Sequence, residues 1–185
     1  FKPAAFSLTS PEKACALAKG KYIICVDFSK AFFQIPTLHK NVLGFSTWNP
    51  ERNIQEHFAA PSPVFGHTLS PLICVQAFKP IVDFFKRIGF FSLIYYDDLL
   101  IAVSDFNEIL TREKAEPRIK FIFNVLKILG MKLSPKGVLT PTLALIFLGK
   151  LINTGLGQIF PTLEKIEKLI KKINVIIDQK VTTLD

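Results

Sequence analysis

The sequence predicts an α+β domain in which helices stand behind an antiparallel sheet. Three features carry that expectation. Short β-branched and aromatic runs, chief among them Tyr22 to Phe28 (YIICVDF), read as buried strands. Segments of helical period separate them, the longest from about Ser70 to Ile88. The run FFSLIYYDDLLIAVS, residues 90 to 104, sets two apolar arms around Asp97 and Asp98, the pattern of a strand, a tight turn and a returning strand.

In chain order, YIICVDF is followed by SKAFFQI, which reads as a short helix, so Asp27 falls at a strand end. LGFSTW, NPERN and IQEHF read as strand, turn and partner strand. From Ser70 the apolar positions Leu72, Ile73, Ala77, Ile81, Phe84, Phe85 and Ile88 keep helical spacing. Pro71 suits the first turn, and Pro80 is expected to kink or split the helix. After the Asp-Asp hairpin two helical segments are expected, 106–116 and 117–129, divided at Pro117 and ended by Gly130. Strands return at MKL and at LIFLGKLI, with GLGQIF closing a small hairpin onto the latter. The last element, PTLEKIEKLIKKINVII, carries an apolar stripe (Leu163, Ile166, Leu169, Ile170, Ile173, Ile177) and a basic one (Lys165, Lys168, Lys172). The basic stripe reads as a solvated face, or else as a contact for a nucleic-acid backbone.

A chain of 185 residues can bury one sizeable core and is short for two. With 49% hydrophobic residues and 18 Phe it is apolar for a domain of this size, which points either to a thoroughly buried core or to surfaces covered by the rest of a larger protein. Lys and Arg number 23 against 15 Asp and Glu, a net charge of +8 that suits a polyanionic partner such as nucleic acid. Cys15, Cys25 and Cys74 lack the spacing of a zinc site or a disulfide framework. His39, His57 and His67 are scattered among loops, and no chemistry is assigned to them. The first residues lack the charged-then-apolar order of a signal peptide, and charge or proline interrupts every long apolar run. An intracellular location without a membrane partner is expected, cytoplasm and nucleus being undistinguished.

Adjacent carboxylates between apolar arms need a cation, a pairing group or an exposed turn to compensate them. One reading is a hairpin whose tip happens to carry Asp-Asp. The other is a hard-cation site: carboxylates suit Mg²⁺ together with substrate phosphates, provided a third acid joins them. Asp27, at the end of its own strand, is the candidate. Three acids on one sheet edge could hold two ions for phosphoryl transfer.

Five segments in order carry a family resemblance: VDFSKAFFQIP, VFGHTLSPLICVQAFKP, YYDDLLI, LGMKLSPKG and FLGKLINT. The chain resembles the reverse transcriptases from about Phe6 to its C-terminal helix, and within them the DIRS-type retrotransposon and hepadnavirus-like polymerases. The resemblance implies a polymerase palm, an antiparallel sheet backed by helices, with partial fingers and the start of a thumb. Residues 1–160 would be palm with partial fingers, and residues 161–185 an amphipathic helix opening the thumb. The implied activity is RNA-directed DNA polymerisation: dNTPs are added to a DNA or RNA primer on an RNA template, with two Mg²⁺ ions, Mn²⁺ being an alternative. Further implied partners are the remaining fingers, thumb and RNase H segments of a longer polyprotein, so these 185 residues alone are expected to bind Mg²⁺ weakly and to polymerise poorly.

By the same resemblance Asp27 and Asp97 bridge the metals and Asp98 is the more peripheral acid. Phe32 stands where the family places an aromatic gate against a ribose 2′-OH; Phe65 and Gly66 line the nucleotide pocket. Lys136 matches a lysine that assists the pyrophosphate leaving group, and Phe147, Leu148 and Gly149 match the primer grip. The readings from the residues alone are blander: core packing for Phe32, a turn glycine at Gly66 and a solvated loop lysine at Lys136. Two further functions stay open. One is a decayed, non-catalytic element that binds nucleic acid or a partner. The other is an RNA-directed RNA polymerase, disfavoured because such enzymes usually carry Gly before the acid pair and a polar group where Phe32 stands.

Overall fold

The computed structural model describes residues 8–36, 44–64, 66–103 and 112–181. The first element among the described residues is helix α1 (Pro11–Leu17), whose N-cap Ser10 accepts a hydrogen bond from the Lys13 amide at 3.2 Å while Pro11 pre-sets the first turn. Strand β1 (Ile23–Asp27) and a 3₁₀ turn (Ala31–Gln34) follow. Then come the hairpin β2 (Gly44–Asn49) and β3 (Ile54–Ala59), helix α2 (Ser70–Arg87), and the hairpin β4 (Ser92–Tyr95) and β5 (Asp98–Ala102). Helix α3 (Arg112–Ile128), β6 (Val138–Thr142), β7 (Ala144–Phe147), β8 (Lys150–Asn153), β9 (Gln158–Pro161) and α4 (Leu163–Val181) complete it.

The main sheet has the order β4-β5-β1-β6, so β1 and β5 lie at its centre, and these pairings are antiparallel. Strand alternation splits its side chains between two layers. Ile24, Val26, Leu99 and Ile101 face α2 and α3, where Phe78, Phe85, Ile122 and Leu126 close the larger core. Ile23, Cys25, Leu93 and Leu100 face the other way, onto α1 and the three-stranded sheet β7-β8-β9 through Leu145, Phe147 and Ile152. Both faces of the central strands are therefore buried, which accounts for the continuous apolar runs in β1 and β5.

Several expectations are corrected. Proline divides neither long helix: α2 continues through Pro80 and α3 through Pro117. In each, buried side chains on both sides of the proline (Phe78 with Ile81 and Val82; Ala115 with Ile119) hold the helix against the loss of one hydrogen bond. The helical segment expected at 106–116 lies outside the described residues up to 111. MKL is not a strand: only Leu133 bridges to Phe28, and the edge strand is β6, which the sequence pattern does not announce. Helix α1 is a further element beyond those expected. The apolar stripe of α4 is not buried; Leu163 is 78% exposed and Leu169 59%. Among the described residues no helix is long and apolar enough to cross a membrane.

The turn before β6 crosses the end of β1 so closely that Gly137 has no room for a side chain. A Cβ there would stand 2.8 Å from the Cys25 carbonyl oxygen and 3.1 Å from the Asp27 amide nitrogen, both backbone atoms that cannot swing aside. Gly137→Ala is expected to destabilise the fold by about 1–3 kcal/mol, read as a lowered urea midpoint at unchanged m-value.

Candidate active site

The register of the central strands sets the geometry. Pairing runs from Ile23↔Ala102 to Asp27↔Asp98, so the carboxylates at 27 and 98 are direct cross-strand neighbours on one face. β4 and β5 are joined by a two-residue turn, Tyr96-Asp97, closed by the pair Tyr95↔Asp98. Such turns need a positive φ at their first residue, and Tyr96 adopts φ 53° although it is not glycine. The Asp97 carbonyl accepts a 2.8 Å hydrogen bond from the Phe28 amide, which ties the turn to the residue after Asp27. Asp27, Asp97 and Asp98 thus share one end of the sheet. Asp98 is half-buried opposite Asp27, whereas Asp97 is exposed at the tip.

Electrostatics reflect that crowding. Burial, then the charge of Asp97, then that of Asp27, push the Asp98 carboxyl up to about 6. Among the described residues no lysine, arginine or histidine forms an ion pair with these acids. Cys25, two residues before Asp27 on the same face, has its thiol pushed up to about 12 by burial and by Asp98, Asp27 and Asp97. Cys74 on α2 lies beneath the turn; burial and Asp97 raise its thiol to about 12, and its Sγ donates to the Tyr96 carbonyl at 3.6 Å. Sequence reasoning misses both cysteines, because nothing in their spacing signals that they underlie an acidic turn.

The other candidates divide. The half-buried Phe32 lies in the 3₁₀ turn, its ring centroid 6.5 Å from that of Tyr96, and packs against the larger core. Gly66 has φ 85°, and a Cβ placed on it would meet nothing within 4 Å, so backbone conformation rather than crowding calls for glycine. Phe65 lies outside the described residues. Lys136 is exposed in a turn anchored to β1: Ser134 donates its amide to the Asp27 carbonyl at 2.8 Å, and the Ser134 hydroxyl accepts from the Lys136 amide at 3.2 Å. Phe147 is 1% exposed and acts as a core anchor, leaving Leu148 and Gly149 as the hairpin tip. That tip packs against the layer holding Cys25 and Tyr95, and Lys165 of α4 donates to the Gly149 carbonyl at 2.6 Å.

An antiparallel sheet backed by two helices, with acidic residues at a central hairpin, is the architecture of a polymerase palm. Residues 2–149 match the family described as reverse transcriptase (RNA-dependent DNA polymerase), and the chain belongs to that family. Two solved structures share the fold. The foamy viral protease-reverse transcriptase in complex with an RNA/DNA hybrid matches 89% of this chain at TM-score 0.66 and 24% identity. The same viral protein in complex with dsDNA matches 89% at TM-score 0.66 and 22% identity. The chain spans 20% and 31% of those two chains. No curated protein matches it.

The raised Asp98 carboxyl fixes the sign of a pH effect. Folding onto a carboxylate held near 6, against an ordinary 3.8, costs stability at neutral pH; the cost fades as pH falls through 6 and is gone below about 4. Asp98→Asn is expected to raise the metal-free stability at pH 8 by roughly 1–2 kcal/mol, after discounting for partial exposure, with the gain vanishing near pH 4. Chemical denaturation of both proteins across that range measures it.

Proposed function

We propose that this chain is the palm, with part of the fingers, of an RNA-directed DNA polymerase that adds deoxynucleotides to a primer 3′ end. One observation carries the reading: the β1–β5 register sets Asp27 opposite Asp98 and ties the Asp97 turn to the same strand end. The family match and the nucleic-acid complexes of the viral relatives support it.

The donor set suits hard divalent cations. The three acids share one strand end without an ion-pair partner among the described residues, and burial, then the charges of Asp97 and Asp27, raise the Asp98 carboxyl. Among the described residues no three His, Cys, Asp or Glu side chains gather closely enough to hold a metal by themselves. Asp27, Asp97 and Asp98 would therefore share Mg²⁺ with water and the phosphates of an incoming nucleotide. When bound, such ions neutralise the triphosphate and favour ionisation of the primer hydroxyl. The protein's own part is alignment. The Leu148-Gly149 tip would hold the primer terminus. Phe32 would stand beneath the sugar, where a rigid ring rejects a 2′-OH by steric clash. Lys136, beside the Asp27 backbone, would meet charge developing on the pyrophosphate. Residues 161–185 would open the thumb.

Mg²⁺ or Mn²⁺ is expected to raise the melting temperature of the wild-type chain, by an amount equivalent to about 2.7 kcal/mol at a hundredfold excess over the dissociation constant. Asp27→Asn and Asp97→Asn should abolish the response. An undiminished shift in Asp27→Asn would remove the metal assignment.

Primer extension on an RNA template should be weak for these residues alone and absent in Asp97→Asn. Phe32→Val should raise ribonucleotide relative to deoxynucleotide incorporation. Equal use of rNTP and dNTP by the wild type would instead favour an RNA-synthesising enzyme.

A further inference from the structure

Gln34 ends the 3₁₀ turn after β1, and its carboxamide is spent wholly on main chain. Nε2 donates to the Ser29 carbonyl at 2.6 Å and to the Lys132 carbonyl at 2.9 Å, while Oε1 accepts from the Lys132 amide at 2.9 Å. Donor and acceptor together on one residue are what a neighbouring strand would offer Lys132, so the side chain serves as a short length of strand.

It does so where the sheet fails. Pairing of β1 with β6 is already irregular between Ile23 and Cys25. Past Asp27 the main-chain contact continues, among the described residues, through the Phe28–Leu133 bridge, the Ser29 amide on the Lys132 carbonyl (2.9 Å) and the Ser134 amide on the Asp27 carbonyl (2.8 Å). The Lys132 carbonyl thus accepts from both Ser29 and Gln34, and through Gln34 the 3₁₀ turn that carries Phe32 is hydrogen-bonded to the 132 segment.

We infer that Gln34 is a positioning residue: its carboxamide locks the segment leading to Lys136 and the turn bearing Phe32 into one unit at the carboxyl end of β1. The inference rests on the proposed roles of Asp27, Phe32 and Lys136. Its physical content is that Gln34 fixes the Phe32 turn against the 132 segment without touching substrate itself, while Ser134 and Gly137 tie the following lysine turn to β1. Main-chain tethers from a half-exposed side chain contribute little to global stability and much to local order.

The test compares the wild-type chain with Gln34→Met, which keeps length and bulk but has no amide, and Gln34→His, which restores one donor and one acceptor. Gln34→Met should speed hydrogen exchange of the Lys132 amide by about tenfold, the worth of one lost hydrogen bond, at a nearly unchanged global unfolding midpoint. With Mn²⁺ added as a paramagnetic probe, the broadening expected at the Lys136 amide in wild type should weaken in Gln34→Met and partly return in Gln34→His. Broadening of the Asp27 and Asp98 signals should persist in all three. Unchanged Lys132 exchange together with unchanged Lys136 broadening in Gln34→Met would overturn the inference. Failure of the functional reading has a separate signature: Mn²⁺ would broaden neither Asp27 nor Asp98 in wild type, and the catalytic half of the inference would fall with it, while the exchange data would still decide whether Gln34 holds the segment.

Discussion

The pairing of β1 with β5 is the constraint on which the rest of the molecule depends. In a strand the side-chain period is two, so a slip of one residue would exchange the two faces along the whole length. If β1 slipped, Ile24 and Val26 would change places with Ile23 and Cys25 between the two cores, and Asp27 would turn into the one beneath α2 and α3. Burial of several aliphatic side chains at about 1.5–3 kcal/mol each therefore opposes any other alignment. The acids are placed by hydrophobic packing that they take no part in.

That placement works against local electrostatics. Folding half-buries Asp98 and sets Asp97 and Asp27 beside it, and burial first, then those two charges, raise its carboxyl. A structure selected only for stability would not arrange this, since a neutral or apolar residue at position 98 would suit the half-buried site better. The buried thiols of Cys25 and Cys74 fit the same picture. They pack beneath the acids as small apolar groups, kept neutral first by burial and then by the charge above them, and so add no further charge to the cluster.

Much of this is legible in the sequence because the signals are local. Continuous β-branched and aromatic runs mark β1, β4 and β5, the Asp-Asp pair marks a turn, and the order of five motifs supplies the pairing that composition cannot. The failures are of two kinds. Local propensity makes Pro80 and Pro117 breaks, and buried faces on either side override it. β6, the Leu133 bridge and the carboxamide of Gln34 depend on contacts across about a hundred residues of chain, and no short window contains both partners. α1 is a different omission, since Ser10-Pro11-Glu12 is a local helix start and legible as one.

Backbone strain marks the same region from an independent direction. Non-glycine residues with positive φ are Lys30, Asn53, Tyr96 and Leu148 among the described residues. Asn53 sits in the β2–β3 turn, where asparagine tolerates this conformation. The remaining three carry side chains with no such tolerance, at roughly 1–2 kcal/mol each. Lys30 introduces the 3₁₀ turn of Phe32 and Gln34, Tyr96 opens the Asp97 turn, and Leu148 forms the tip of the β7–β8 hairpin. Glycine would relieve each, yet it would also loosen the turn by restoring backbone freedom. Bulky residues there have a benefit where they pack: Tyr96 against Phe32, and Leu148 against the layer of Cys25 and Tyr95. Strain at Lys30 and Tyr96, the neighbouring acids and main-chain tethering thus meet at one end of the main sheet, with Leu148 on the three-stranded sheet packed against its layer. That combination is expected where geometry is held for chemistry rather than for stability.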